Sequence, residues 1–204
     1  QLTGNAYGGV GANNLHKEGA NGNTLVLNGS NAVVTGTVAG SYSAGGGASR
    51  GTVEMSAGTV TGSVAGGYGQ SIANDNNVNI TGGTVTGTVY GGYSAGTAAG
   101  GTANTTGNVV SIDDAGDANK TYTADLTRAA LSGGNRDYAN NRLEIRTKGI
   151  TAQAATNFNY YDFKLDTGIA RDDTLLTLKA SDALGRRVAI SEMDLDAKGW
   201  SGKV

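Results

Sequence analysis

Few residues in this chain could carry out chemistry, and their types limit what that chemistry could be. The only histidine, His16, lies beside Lys17 and Glu18, and none of the 204 residues is a cysteine. A cysteine nucleophile, a thiolate metal site and a disulfide are therefore excluded within this chain. No G-x-S-x-G nucleophile elbow accompanies the histidine. We therefore interpret His16 as a solvated loop residue rather than a general base, and we expect no catalytic residue, no metal site and no cofactor.

Acidic side chains occur in two doublets, Asp113-Asp114 and Asp172-Asp173. We interpret them as turn caps, because an aspartate readily bonds its own backbone in a turn. Calcium-binding solenoids carry an aspartate in each glycine-rich repeat, and the repeats described below carry none. A glycosidase needs two carboxyl groups about 5–10 Å apart in a groove. Asp113 and Asp114 would point to opposite faces of a strand, so a polysaccharide-cleaving enzyme is the least favoured function.

A glycine-rich motif of the form V-T-G-[TS]-V-x-G-[GS]-Y recurs along the first half of the chain. Its Thr-Gly pairs begin at Thr35, Thr61 and Thr86, so the copies follow one another at nearly equal intervals. Valine and glycine have one parity in each copy and threonine has the other, a period of two that indicates a β-strand. We expect valines to face inward, threonines to face outward, and glycines to lie where backbone approaches backbone. The motif has no phosphate-binding lysine and so does not match a nucleotide-binding loop.

A short apolar strand lies upstream of each motif, and its spacing predicts the architecture. The strand ends recur at similar but unequal intervals, at Leu27, Met55, Ile80, Ile112 and Ile145. Two short strands and a glycine corner in about 25 residues fit one rung of a parallel β-solenoid, with loops of variable length between strands. We therefore predict an all-β, parallel β-solenoid (β-helix) of about five rungs. A β-propeller blade would need about 40 residues.

The composition changes near residue 118, where glycine becomes rarer and charged and aromatic residues increase. We predict glycine-rich solenoid repeats over residues 1–117 and degenerate rungs of the same solenoid over residues 118–204, ending in a more irregular, cap-like region. A solenoid needs such a cap because its end exposes unpaired strand edges. The strands predicted in this half are Tyr122–Leu126, Leu143–Thr147, Tyr160–Leu165, Thr174–Leu178 and Arg187–Ser191.

Residues 140–181, NNRLEIRTKGITAQAATNFNYYDFKLDTGIARDDTLLTLKAS, resemble the passenger region of bacterial autotransporters. That family has an N-x-L-x-[IV] strand, an N-F-x-x-Y-x-F-x-L phrase and a D-T-x-L-x-[LV] strand. The corresponding residues here are Leu143–Ile145, Asn157–Leu165 and Asp173–Leu178. The V-x-G-G-[YS] motif is similar to repeats in the same group. The resemblance implies a secreted, right-handed β-helix on a Gram-negative cell surface, anchored to the outer membrane by a C-terminal barrel or released. We expect that barrel to lie outside these residues, so that the chain is a fragment or a released passenger.

The low charge bears on the partners. A net charge of −2, with 16% charged residues, argues against nucleic-acid binding, which needs clustered Lys and Arg.

We expect a non-catalytic, adhesin-like scaffold whose loops bind a host or bacterial surface protein or a glycan. The loops of variable length, Ser94–Asn108 and Asp113–Lys120, are the expected contacts. The alternative is a self-associating structural fibre on the cell surface.

Tyrosines are the candidate binding residues. Tyr42, Tyr68 and Tyr93 recur at the same intervals as the motif, so they should stack as a ladder, either structural or a platform for sugars or a protein. These three share the parity of the inward valines. Tyr90 has the opposite parity and is expected to point outward alone. The threonines could form an ice-binding hydroxyl grid, but Val33 and Ser63 interrupt it, and threonine is a common residue in exposed strands.

Overall fold

The computed structural model describes residues 1–11, 19–96, 103–117, 123–165, 168–180 and 187–193, the last range as backbone only. Within these ranges the chain forms twenty β-strands and no helix. Every pairing between these strands is parallel. The prediction of an all-β fold with parallel strands is therefore confirmed.

The strands are short and follow one another at short intervals. In chain order they are β1 (Ala6–Gly11), β2 (Ala20–Asn21), β3 (Thr24–Leu27), β4 (Val33–Val34), β5 (Val38–Ser43), β6 (Ala48–Ser49), β7 (Thr52–Met55), β8 (Thr59–Val60), β9 (Val64–Gly69), β10 (Asn77–Ile80), β11 (Thr84–Val85), β12 (Thr88–Ser94), β13 (Val109–Ile112), β14 (Ala130–Ser132), β15 (Arg142–Ile145), β16 (Ile150–Ala152), β17 (Ala154–Thr156), β18 (Tyr160–Leu165), β19 (Leu176–Leu178) and β20 (Arg187–Met193).

These strands form three main sheets, in each of which the neighbours follow the order of the chain. Sheet I is β1-β5-β9-β12-β14-β17, sheet II is β3-β7-β10-β13-β15-β18-β20, and sheet III is β4-β8-β11. Bridges from Leu2 to Val34 and from Thr84 to Asp125 lengthen sheet III at both ends. Sheets I and II contain six and seven strands where about five rungs were predicted, and both continue across residue 117.

Equivalent motif positions pair directly, and this register places the core. Val38 pairs with Val64, and Val64 pairs with Val89. In sheet II the strand ends Met55, Ile80, Ile112 and Ile145 lie side by side and are almost completely buried. The predicted inward valines of the motif are 4% exposed or less, which confirms their orientation: Val34, Val38, Val60, Val64, Val85 and Val89. Stacked aliphatic side chains therefore form a continuous core between the sheets.

The second half follows the predicted strands with small shifts. The predicted strand at Tyr160–Leu165 matches β18, and those at residues 143, 174 and 187 correspond to β15, β19 and β20. The prediction at Tyr122–Leu126 is wrong for the part that is described, because Asp125 forms only an isolated bridge. Phe158 is 1% exposed, and its ring contacts that of Tyr161 edge-on at 5.8 Å. Large aromatic side chains here fill the space that valines fill earlier in the chain.

A feature that the sequence analysis missed is a buried ladder of asparagines. The residue before each sheet II strand is an asparagine in all but one case among strands β3 to β18: Asn23, Asn76, Asn108, Asn141 and Asn159, with Gly51 as the exception. We call these positions the asparagine ladder. The Asn108 side-chain oxygen accepts from the backbone N–H and the side-chain amide of Asn76, at 3.0 and 2.9 Å. Asn141 accepts the same two bonds from Asn108, at 2.9 and 3.2 Å.

The asparagine ladder helps to explain the second glycine of the G-G motif. A Cβ atom at Gly67 would lie 2.5 Å from the Asn76 side-chain oxygen, and one at Gly92 would lie 2.8 Å from the Asn108 amide. At the equivalent register position β5 carries Ser41. The next sheet II strand along the chain, β7, is the one preceded by Gly51 instead of an asparagine. The Ser41 hydroxyl accepts the backbone N–H of Asn23 at 3.3 Å, the bond that an asparagine at residue 51 would otherwise accept. Two repeats therefore combine a glycine on sheet I with an asparagine before the sheet II strand, as in Gly67 with Asn76. The earlier repeat combines Ser41 with Gly51 at the same two positions.

Candidate functional site: a tyrosine column and a polar groove

Four tyrosine rings stack along sheet I, those of Tyr7, Tyr42, Tyr68 and Tyr93, and we call them the tyrosine column. The predicted ladder is confirmed, because the ring centroids of Tyr42 and Tyr68 are 5.6 Å apart and those of Tyr68 and Tyr93 are 4.6 Å apart. The column also includes Tyr7, whose ring lies 4.2 Å from that of Tyr42 with only 9° between the planes. In-register parallel strands produce the stacking of Tyr42, Tyr68 and Tyr93, since they bring the same motif position into contact on neighbouring strands. Tyr7 pairs in register with Ala39 and stacks on Tyr42 diagonally.

The inward orientation expected for Tyr93 is wrong, and Tyr90 points outward as expected but not alone. Its ring contacts that of Tyr93 edge-on, with centroids 5.0 Å apart and 64° between planes, so Tyr90 does not stand alone. The alternation along β12 changes phase between the two tyrosines, because the consecutive residues Gly91 and Gly92 are both buried. Tyr90 and Tyr93 are therefore both half-buried on the same side of the strand, instead of pointing to opposite faces.

The geometry of the tyrosine column limits how it could bind a ligand. Near-parallel rings at 4.2 and 4.6 Å cover much of each other's faces. The column therefore presents ring edges and phenol hydroxyls to a partner more than open ring faces, which are the surfaces that stack on a sugar. Burial raises the pKa of Tyr7 and Tyr68, and the neighbouring tyrosines raise it further because two adjacent phenolates would repel each other. Tyr7 and Tyr68 therefore keep their protons to a higher pH than a free tyrosine does.

These raised pKa values predict a loss of stability in alkaline solution. A group whose pKa is raised by folding contributes stability that is fully present below its unfolded pKa, about 10 for tyrosine, and lost as the pH rises through the folded value. We expect the guanidinium midpoint of the wild-type protein to fall between about pH 9 and pH 12. The fall should be smaller in the Tyr7→Phe/Tyr68→Phe variant. Tyr160→Phe is the control and should show the same fall in midpoint as the wild type. The prediction is contradicted if the midpoint of Tyr7→Phe/Tyr68→Phe falls by as much as that of the control.

A second candidate site is a groove of about 750 Å³ on the outward face of sheet II, which we call the polar groove. The residues Glu54, Asn79, Ser111 and Glu144 are paired in register across four neighbouring strands. Asn77 also lines the groove, and its side-chain oxygen has no hydrogen-bond partner in the structure. The lining is therefore rich in amide, hydroxyl and carboxylate groups that could bond an extended polar ligand.

Two arginines hold the carboxylates at one end of the polar groove. Arg146 lies 2.9 Å from Glu144, and Arg142 lies 3.9 Å from Glu144 and 3.2 Å from Asp162. Asp162 is only 3% exposed, and it pairs in register with Glu144 on the next strand. Glu144 and Asp162 are therefore both engaged in ion pairs with these arginines. Among the described residues no group of three or more histidine, cysteine or acidic residues could hold a metal ion.

The sequence analysis missed the polar groove because its residues come from separate strands of the stack. Glu144 and Asp162 are well separated along the sequence, and neither belongs to a carboxylate doublet. The signal that could have revealed them is the position just before the apolar end of each upstream strand. Aligning the strands at Met55, Ile80, Ile112 and Ile145 brings Glu54, Asn79, Ser111 and Glu144 into one column.

The doublets behave mainly as turn caps, as predicted. The Asp113 carboxylate accepts the backbone N–H of Asp114 at 2.8 Å, and the Asp114 carboxylate accepts that of Gly116 at 2.9 Å. Asp173 accepts the backbone N–H of Ala170 at 2.6 Å and pairs with Lys148 at 2.8 Å. His16 and Trp200 lie outside the described residues, as do parts of both predicted binding loops, residues 97–102 and 118–120.

The threonines face outward, but they do not form a free hydroxyl grid. Thr86 donates its hydroxyl to the carbonyl of Thr61 at 3.1 Å, and Thr61 donates to the carbonyl of Thr35 at 3.5 Å. These donors are directed along the stack, toward the preceding strand. These two hydroxyls therefore contribute to the contact between neighbouring strands and are not free outward donors for ice.

Comparison of the chain with protein-family models, with curated proteins and with solved structures found no match. In the part of the chain that the structure describes, no helix has the length and apolar character needed to span a bilayer.

Proposed function

We propose that the chain is a segment of a secreted, right-handed parallel β-solenoid of the autotransporter passenger type. It acts on a bacterial cell surface as a non-catalytic binding scaffold, either anchored to the outer membrane or released. Three parallel sheets in chain order support the solenoid, because successive circuits of the chain add one strand to each sheet. The right hand follows from the family resemblance and from the usual hand of crossovers between parallel strands.

The observation that carries the binding role is the polar groove. It reaches from Val26 on β3 to Glu144 on β15, so it spans about 19 Å at about 4.8 Å per strand. An extended glycan, or an extended segment of a surface protein, could lie along this length and bond the amide and hydroxyl side chains. Asp113 borders the groove, so the second predicted binding loop begins at its edge.

The polar groove can be tested by removing its central hydrogen-bonding groups. Asn79→Ala/Ser111→Ala should weaken binding to a glycan array or to host cells about tenfold, because each lost hydrogen bond costs about 0.5–1.5 kcal/mol. Thr61→Ala/Thr86→Ala on sheet III is the matched control and should bind as the wild type does. Binding that is unchanged in the groove variant but lost on deletion of residues 97–102 would overturn the groove and favour the loop. Unfolding curves verify that both variants are folded.

The alternative, a self-associating surface fibre, has one observation in its favour. The three large apolar side chains that stand out as exposed among the described residues are Leu2, Val10 and Val26, at 45, 65 and 55%. Val10 and Val26 lie on β1 and β3, the first strands of sheets I and II. Exposed apolar side chains on two neighbouring sheets favour association between chains. Light scattering of the wild type and of Val10→Lys/Val26→Lys tests this alternative. Fibre formation predicts that the wild type associates and that the lysines weaken the association, and a wild-type monomer at high concentration contradicts it.

A further inference from the structure

We propose that the tyrosine column is a site of oxidative cross-linking, in which neighbouring strands of sheet I become joined by dityrosine bonds. The reacting pairs are Tyr7 with Tyr42 and Tyr68 with Tyr93. The oxidant is a peroxide acting through a haem peroxidase. This site is independent of the binding role, because neither pair lines the polar groove.

The geometry of the two pairs favours coupling between their rings. The planes of Tyr7 and Tyr42 are 9° apart with centroids at 4.2 Å, and those of Tyr68 and Tyr93 are 24° apart with centroids at 4.6 Å. Rings in such stacks place equivalent carbon atoms of the two phenols close together. Tyr42 and Tyr68 are tilted by 32° at 5.6 Å, so this central pair is the slower one. In-register pairing of β9 and β12 holds the Tyr68 ring against that of Tyr93 before oxidation begins. The Tyr7 ring reaches that of Tyr42 diagonally across the parallel strands β1 and β5, since Tyr7 pairs in register with Ala39 and Tyr42 with Val10.

Exposure also suits the reaction. The four rings are half-buried, so their edges and hydroxyls can meet an oxidant while their faces stay in contact. By contrast, Tyr161 is 3% exposed and donates its hydroxyl to the carbonyl of Ala155 at 3.2 Å. The chain has no cysteine, so a disulfide cannot link one strand of the stack to the next. Dityrosine would supply such a link with the residues that are present.

The chemistry balances without any other reactant. Each phenol loses one electron and one proton to give a tyrosyl radical with spin density on the carbons beside the hydroxyl-bearing carbon. Two such radicals form one carbon–carbon bond between their rings. Each joined carbon then passes its hydrogen to the phenoxyl oxygen, which restores both aromatic rings and both hydroxyls. The pair has lost two electrons and two protons in total, and one hydrogen peroxide takes them up and becomes two water molecules.

The sequence allows each cross-link to be mapped by mass spectrometry. Dilute, folded protein is treated with hydrogen peroxide and a haem peroxidase, and the monomer is isolated from a denaturing gel. Trypsin places Tyr7 in residues 1–17 and Tyr42 in residues 18–50, so their cross-link joins two peptides. Tyr68 and Tyr93 lie in one tryptic peptide, residues 51–120, which cleavage before Asp75 divides between them. The expected products are these two joined pairs, each lighter by two hydrogen atoms.

Two matched variants make the proposal falsifiable. Tyr42→Phe/Tyr93→Phe keeps every ring of the tyrosine column but removes one phenol from each reacting pair, so dityrosine fluorescence of the monomer should be lost. Tyr138→Phe/Tyr160→Phe removes two phenols from outside the column and should keep the wild-type yield. Undiminished dityrosine in the first variant would overturn the proposal. Cross-links found only between separate chains, with none in the monomer, would overturn it as well.

Discussion

Replacing Asn108 by alanine is expected to destabilise the protein by about 3–5 kcal/mol, since each buried polar group left without a partner costs about 1–3 kcal/mol. The Asn108 side chain is fully buried in the asparagine ladder. Its oxygen accepts two hydrogen bonds from Asn76, and its amide donates to Asn141 at 3.2 Å. Alanine would leave both Asn76 donors unpaired and would create a cavity, because the two adjacent strands cannot close over the missing amide.

Asn77→Ala is the control for this prediction, because Asn77 follows the ladder residue Asn76 and its side-chain oxygen has no hydrogen-bond partner in the structure. Its replacement should change the free energy of unfolding by less than about 1 kcal/mol. Urea unfolding followed by circular dichroism measures both variants. Equal losses of stability in Asn77→Ala and Asn108→Ala would show that the buried hydrogen bonds of the asparagine ladder are not the cause.

Replacing Gly51 by asparagine is expected to destabilise the protein by about 3 kcal/mol, at the upper end of the usual cost of overpacking. The substitution would complete the asparagine ladder in sequence, yet a Cβ atom at Gly51 would overlap the carbonyl oxygen of Gly66. It would also lie 2.7 Å from the backbone nitrogen and 2.9 Å from the hydroxyl of Ser41. Space, rather than hydrogen-bonding capacity, therefore excludes the consensus residue at this position.

A double-mutant cycle tests the exchange between Ser41 and Gly51. Ser41→Gly alone removes the acceptor of two bonds from Asn23, at 3.3 and 3.2 Å, and should cost about 1–2 kcal/mol. Combined with Gly51→Asn it removes one of the steric conflicts and supplies a new side-chain acceptor. We expect the double variant to be more stable than Gly51→Asn alone, a favourable coupling of about 1 kcal/mol or more. A double variant that is less stable than Gly51→Asn would contradict this explanation of the glycines.

The candidate site shows where prediction from the sequence succeeded and where it failed. The stacking of Tyr42, Tyr68 and Tyr93 followed from their regular spacing, because in-register strands place repeated residues against one another. The outward position of Tyr93 was not predicted, because strict alternation was assumed across Gly91 and Gly92, which are both buried. The polar groove was missed altogether, since its outward residues differ in type from strand to strand.

The local pattern of the chain determined the strands and their faces. Alternating valine and threonine indicates strands with one buried side, and the regular recurrence of the motif brings equivalent strands together in parallel sheets. These properties depend on neighbouring residues, so they can be read along the sequence. The tertiary structure alone decided which side chains meet across strands that are distant in sequence, such as β12 and β14 or β15 and β18. In the folded chain Asn76 and Asn108 form buried bonds, Ser41 compensates for Gly51, and Glu144 lies beside Asp162. The loops between these strands differ in length, so the strand register that brings these residues into contact cannot be read from their spacing in the sequence.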